Sequence, residues 1–267
     1  MAAPQQPVLV PPSPEPPNPP SKLPPNMQIW MVTIVLVIAA ARVGTMQVSG
    51  YSWLGMMLIM FVFVLFLGRW ISGRPLGILV NERNLMSLSR FQIIMWTLII
   101  LSAYLIIAIQ RIHAGIPDAL NIALDKRLWA LLGISTASLV GSPLLLQSKK
   151  TQTPTDNAVT NAAKVLGEDK STIEANLQGR LYSNVAPKDA RFTDMFEGDE
   201  VGNTAYIDPS KLQMFLFTLI VGVSYGYLIF HSMYADPKSL AMPTVSDGMV
   251  ALLGISHAGY LGSKTVG

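Results

Sequence analysis

Ala130-Leu131-Leu132-Gly133-Ile134-Ser135 and Ala251-Leu252-Leu253-Gly254-Ile255-Ser256 are the same six residues in the same order, 121 positions apart. Each copy opens an apolar segment, and each carries the pattern Gly-x-x-x-Ala-x-x-x-Gly: Gly133, Ala137 and Gly141 in the first, Gly254, Ala258 and Gly262 in the second. Positions four apart stack on one face of a helix. Small residues on one face let another backbone come close, which is a common way for membrane helices to associate. Gly222 and Gly226 repeat the spacing in the preceding apolar segment. All eight residues are expected helix-packing positions.

The duplication runs beyond the hexapeptide. At the same offset Ser89 falls on Ser210, Arg90 on Lys211 and Gln92 on Gln213. Trp96-Thr97-Leu98-Ile99 falls on Phe217-Thr218-Leu219-Ile220, and Gly141-Ser142 on Gly262-Ser263. One register without a gap covers two spans and the loop between them. The expected unit is a helical hairpin: a basic residue, Gln, an apolar span, a loop, and a span rich in small residues.

Composition agrees with a lipid environment. Of 267 residues, 51% are hydrophobic and 13% charged, with mean hydropathy +0.41; soluble domains carry about 25% charged residues. Six apolar stretches are expected to span: Ile29–Val43, Tyr51–Leu67, Phe91–Ile109, Leu128–Leu146, Leu212–Phe230 and, short for the purpose, Gly248–Ser263. A span needs about 17–25 residues, so the first must draw on its flanks and the last can span thinned lipid or be re-entrant. Trp30, Tyr51, Trp53 and Trp70 lie near segment ends, where interfacial aromatics collect. The expected fold is all-α, an integral membrane helical bundle of about six transmembrane helices with two parallel helical-hairpin repeats. Its parts are a Pro-rich tail over 1–26, an N-terminal transmembrane hairpin over 27–71, a first repeat over 72–150, a hydrophilic insert over 151–208 and a second repeat over 209–267.

Lys and Arg accumulate in cytoplasmic loops. With six spans, Arg69, Arg74, Arg83, Arg90, Lys149, Lys150, Lys211 and Lys264 share one side, against Arg42, Arg111, Lys126, Arg127 and Lys238 on the other. This bias puts both termini and the insert in the cytoplasm. Residues 1–26 hold eleven prolines and lack the basic start and short apolar core of a secretory signal. Such a tail is extended, and reads either as disordered or as a docking segment for an aromatic groove.

The insert has its own signals. Thr155 or Asp156 can cap a helix over 157–166 that Gly167 stops. Ser171-Thr172-Ile173-Glu174 is a capping-box pattern, and Ile173, Leu177 and Leu181 read as one stripe of the helix that follows. Glu197, Asp199, Glu200, Asn203 and Asp208 read as a solvated charge run. They do not match the calcium-loop pattern of acids at alternate positions, then Gly and a distal Glu. Phe192, Met195 and Phe196 read as an interfacial anchor or a partner-docking patch. Gln92, Gln213 and His257 are the candidate polar groups inside spans. They read as register-fixing hydrogen bonds, worth about 1 kcal/mol each, or as the lining of a pathway, since ionisable groups in a membrane are functional candidates.

Several chemistries lack their signatures. There is no cysteine, hence no disulfide, thiolate nucleophile or thiolate metal site. Phosphate-loop, HExxH, GxSxG and dinucleotide-binding patterns are missing, as is a basic–aromatic nucleic-acid footprint. Three scattered histidines make no metal spacing. No cofactor, no metal, no nucleic acid and no enzymatic activity are expected. The leading expectation is a membrane anchor or scaffold that assembles with itself or a larger complex, with the tail or the 151–208 insert meeting a cytoplasmic partner. The alternative is a channel or transporter with its path at the repeat interface.

Ser87-Leu88-Ser89-Arg90-Phe91-Gln92 with Trp96-Thr97, Lys211-Leu212-Gln213 with Phe217-Thr218, and the closing LLGISHAGYLGSK over 252–264 resemble a group of uncharacterised bacterial multi-pass membrane proteins. The likeness covers roughly residues 76–264. It implies a bacterial inner-membrane location and supplies no mechanism.

Overall fold

The computed structural model describes residues 25–46, 49–234 and 241–265. The Pro-rich tail before residue 25 and Lys238 lie outside them. Eight α-helices occur among the described residues, with isolated β-bridges and no strand: α1 (Pro25–Gly44), α2 (Gly50–Ser72), α3 (Leu88–His113), α4 (Lys126–Gln147), α5 (Asp156–Leu166), α6 (Lys170–Asn176), α7 (Pro209–Ser232) and α8 (Asp247–Thr265).

Local chemistry sets the helix ends. Ser49 accepts a hydrogen bond from Ser52 N and Ser52 Oγ accepts one from Ser49 N, a reciprocal cap that starts α2. Gly73, at φ +74°, stops it in the left-handed region open to glycine. Ser87 caps α3, Asp125 caps α4 and Asp208 caps α7 ahead of Pro209. Pro143 lies inside α4, close to its end.

Helices α1–α4 and α7 are long and apolar enough to cross a membrane, the signature of a multi-pass membrane protein. Helix α8 has 19 residues and is more polar, with Asp247, His257, Lys264 and four glycines in its sequence. Ile34, Val35, Val37 and Ile38 on α1, and Leu58, Phe61 and Val62 on α2, face outward, as lipid-facing surfaces do.

Helices α3, α4, α8 and α7 form a ring in which each packs against the next, and the α1–α2 hairpin leans on α3 and α7. Trp53, Met56, Trp96, Ile106, Leu128, Leu131, Tyr225 and Leu253 fill the centre. In lipid, helix association draws on close packing and interhelical hydrogen bonds, and both are present. Trp53 Nε1 donates to Ser102 Oγ at 2.9 Å, joining α2 to α3. Gln110 Nε2 donates to the carbonyls of Gly44 and Met46, tying the end of α1 to α3.

The insert folds against the end of this ring. Thr155 caps α5 and Gly167, at φ +71°, ends it. Helix α6 departs from expectation. Asp169, before Ser171, is its N-cap residue, and Leu177 turns extended, so Ile173 and Leu181 do not share a helix. Asn176 Nδ2 is drawn back to Thr172 O, Gly179 turns the chain at positive φ, and Leu181 is buried as the bridge partner of Gln178 and Glu200. Val159, Ala162, Ala163, Ile173 and Val201 make a small cluster within the insert. Ala190 and Met195 bury against Leu88, Met214 and Tyr260 at the helix ends. Between α2 and α3, Pro75–Leu79 forms a 3-10 turn packed on α2.

Candidate functional site

Two polar constructions stand out, one within the ring and one at its insert-bearing end. The first is a seam between α4 and α8. Ser135, Ser138 and Ser142 recur at helical spacing on the buried face of α4, opposite Ser256, His257 and Tyr260 on α8. Ser138 Oγ and His257 Nδ1 share a hydrogen bond of 2.6 Å. Tyr260 Oη meets Ser142 Oγ at 3.1 Å and accepts from Ser89 Oγ of α3 at 3.2 Å. Serine is small enough for close approach and supplies a hydroxyl that binds across, so the seam joins three helices at once.

This geometry divides the expected packing positions into inward and outward ones. Gly133 and Ala137 are exposed, and space at Gly133 is open. Ala258 and Gly262 are exposed as well. Gly141 and Gly254 lie near Leu261 and Ile134 at ordinary contact distance. The pattern therefore divides: Gly141 and Gly254 stand within the α4–α8 contact, whereas Gly133, Ala137, Ala258 and Gly262 face away from it, the most deeply buried arc of each helix being the one bearing Ser, His and Tyr. Gly222 lies tight against Met95, and Gly226 faces Trp53.

The polar span residues separate in the same way. Gln92 is fully buried and its Nε2 donates to Thr218 Oγ1 of α7 at 2.5 Å. Thr97 binds its own helix at Ile93 O. Gln213, 121 positions after Gln92, is exposed. Gln92, Gln213 and His257 thus face α7, the outside and α4 respectively. Gln92 Oε1, Trp96 Nε1, Ser135 Oγ, Ser256 Oγ and His257 Nε2 are buried without a hydrogen bond inside the protein.

The second construction is a charge cluster. Asp199 Oδ1 accepts from Arg83 at 2.5 Å, and Asp199 Oδ2 pairs with Lys211 at 3.3 Å and with Lys264. Lys264 also lies over the Tyr260 ring, 4.4 Å from its centre. All four charged side chains are nearly closed to solvent. Burial pushes the Asp199 carboxyl up, but Lys211, Lys264 and Arg83 outweigh it and hold it well below the usual carboxylate range. Beside it, Glu200 pairs with Lys149 and Arg180, each at 2.6 Å. Asp194 accepts from Met86 N and Arg191 N; burial raises its carboxyl above the ordinary value, against those two bonds.

The acidic run is therefore a clasp and not a solvated loop. The Asp199 and Glu200 carboxylates meet basic residues from the connection between α2 and α3, the segment after α4, the insert itself and the ends of α7 and α8, while Asp208 caps α7. Both oxygens of Asp199 are engaged, so the group anchors and does not act as a free base. The basic residues were visible in the sequence as a one-sided loop bias. Their convergence on Asp199 was not, since the separations run from Arg83 to Lys264. Comparison of the chain with protein-family models, with curated proteins and with solved structures finds no match.

Proposed function

We propose that the protein is a non-enzymatic membrane scaffold of the bacterial inner membrane that assembles with copies of itself or with a larger complex. The observation that carries this reading is the outward direction of the Gly/Ala faces. Gly133, Ala137, Ala258 and Gly262 form helix-association surfaces that the chain's own bundle leaves unused. The insert, clasped to the helix ends by Asp199 and Glu200, adds a fixed platform for a cytoplasmic partner. Six spans, with both termini and the insert in the cytoplasm, fit the one-sided basic residues, and α8 serves as the sixth span.

Helix boundaries support the duplicated hairpin. The offset of 121 carries Leu88, the first residue of α3, onto Pro209, the first of α7, and Lys126 of α4 onto Asp247 of α8. The preceding caps correspond too, Ser87 to Asp208 and Asp125 to Ser246. Gentle extraction from native membranes tests the scaffold. The expected particle is larger than the 29.0 kDa chain, and Gly133→Leu reduces its size without lowering thermal stability. A uniform monomer from native membranes overturns the reading.

A second reading, a pathway through the ring, draws on the buried polar atoms without protein partners, since such groups ordinarily bind water or a ligand. Proteoliposomes distinguish it: permeation of water or small solutes that Ser135→Leu abolishes would favour the pathway.

A further inference from the structure

We infer that the cleft between α3 and α4 at the insert-bearing end binds the headgroup of an anionic phospholipid. The cleft has a volume of about 410 Å³. One half is polar and basic: Arg83, Arg90, Ser87 and Ser89 line it, with Glu82 as its acidic member. The other half is apolar, formed by Ile93, Ile94, Leu139 and Leu146. The polar half sits at the first turn of α3, which carries no acidic residue and presents the positive end of a 26-residue helix. The apolar half continues along two helices long and apolar enough to cross a membrane. A soluble anion has no use for that half; a phospholipid has a chain to fill it.

The charges in the cleft differ in availability. Arg83 is committed to Asp199. Arg90 donates to Val80 O at 2.7 Å and only grazes Glu82 at 3.5 Å, with both carboxylate and guanidinium partly open to solvent. The second hairpin shows what such a position takes. Lys211 corresponds to Arg90 by the repeat offset, and Lys211 holds the Asp199 carboxylate. The chain gives Lys211 a buried carboxylate and gives Arg90, which lines the cavity, only the distant and exposed Glu82. That parallel rests on the duplicated-hairpin reading, whereas the amphipathic lining stands without it.

The test uses the full chain in nanodiscs of mixed phosphatidylcholine and phosphatidylglycerol, extracted gently, with retained lipid identified by native mass spectrometry. The wild type is expected to keep phosphatidylglycerol over phosphatidylcholine by about fivefold, the preference given by one basic residue near an anionic lipid surface. Arg90→Gln is expected to bring the two lipids to parity. Leu139→Trp fills the apolar half without touching a charge and is expected to lower retention of both. Arg42→Gln, at an exposed position on α1, is expected to change nothing. Equal selectivity in wild type and Arg90→Gln overturns the proposal, and where Arg90→Gln fails to fold, unchanged retention in Leu139→Trp overturns it. Displacement of phosphatidylglycerol by inorganic phosphate reassigns the cleft to a soluble anion and also overturns it. Particle mass is read in the same spectra, so loss of lipid selectivity with an intact assembly separates failure of this site from failure of the scaffold.

Discussion

At the insert-bearing end of the ring, the α7–α8 pair is closed and the α3–α4 pair is open. Lys211 and Lys264 reach one carboxylate, Asp199, and are shut away from solvent. Between α3 and α4, Arg90 stays partly exposed beside a cavity. The two pairs share residues at one offset of 121, ALLGIS among them, so the difference arises in what the insert brings to each. Connectivity explains it. The insert leaves α4 and returns directly into α7, with Asp199 only nine residues ahead of the α7 cap Asp208. A segment tethered that closely is held near the α7 end, and closing so short a loop costs little entropy. The same asymmetry appears deeper in the ring, where Gln92 bonds across to Thr218 and Gln213 faces outward. Residues shared at one offset therefore do not bring matching sites.

The most direct way to break this contrast is to open the closed end. Asp199→Ala leaves Arg83, Lys211 and Lys264 buried around no counter-charge, and removing one partner from a buried ion cluster costs about 3–5 kcal/mol. Expected outcomes are a large fall in thermal stability in detergent and new trypsin cleavage between residues 151 and 208. Survival of both would mean that the clasp carries little of the insert's attachment.

The next effect comes from packing. Gly222→Leu drives a side chain into Met95 and is expected to cost about 1–3 kcal/mol by overpacking. Gly133→Leu meets open space and is expected to leave the melting temperature of the isolated chain unchanged. Equal losses from the two would erase the distinction between inward and outward glycines.

Acid titration sharpens the closed end further. Asp199 is held below its ordinary value, so folding favours its ionised form. Its contribution is full above the ordinary aspartate value, about 4, and is lost as pH falls from there toward the depressed value. Asp194, raised by burial, has the opposite sign and offsets a part. Protease protection of the insert is expected to hold from neutral pH to about 4 and to fail below it; a loss between pH 7 and 5 would point to another group.

The smallest effect separates the two glutamines. Gln92→Leu removes the bond to Thr218 and is expected to cost about 1 kcal/mol. Gln213→Leu places an apolar side chain on an outward face and is expected to be neutral or slightly stabilising. Thermal denaturation of the two variants side by side reads the difference, and equal shifts would deny the asymmetry.

Much of this was legible in the chain. Apolar runs of sufficient length marked the long helices, because span length is a local property. Thr155 and Gly167 likewise marked both ends of α5. Other features needed the assembled structure. Which arc of α4 is buried in the chain's own bundle is not given by Gly133 and Ala137, since small-residue spacing says two faces can approach and not which face does. Ser135, Ser138 and Ser142 carry an equally regular spacing, and the hydrogen bonds available from His257 and Tyr260 favoured that arc. Asp199 was read as solvated because charge runs usually are; only the meeting of Arg83, Lys211 and Lys264, brought from distant positions by helix packing, makes its burial favourable. The sequence alone determined the long helices and an apolar character sufficient to cross a membrane. Tertiary structure decided which polar groups were paired, which glycines stayed outside and which hairpin end remained open, because burial of charge depends on partners that no local pattern specifies.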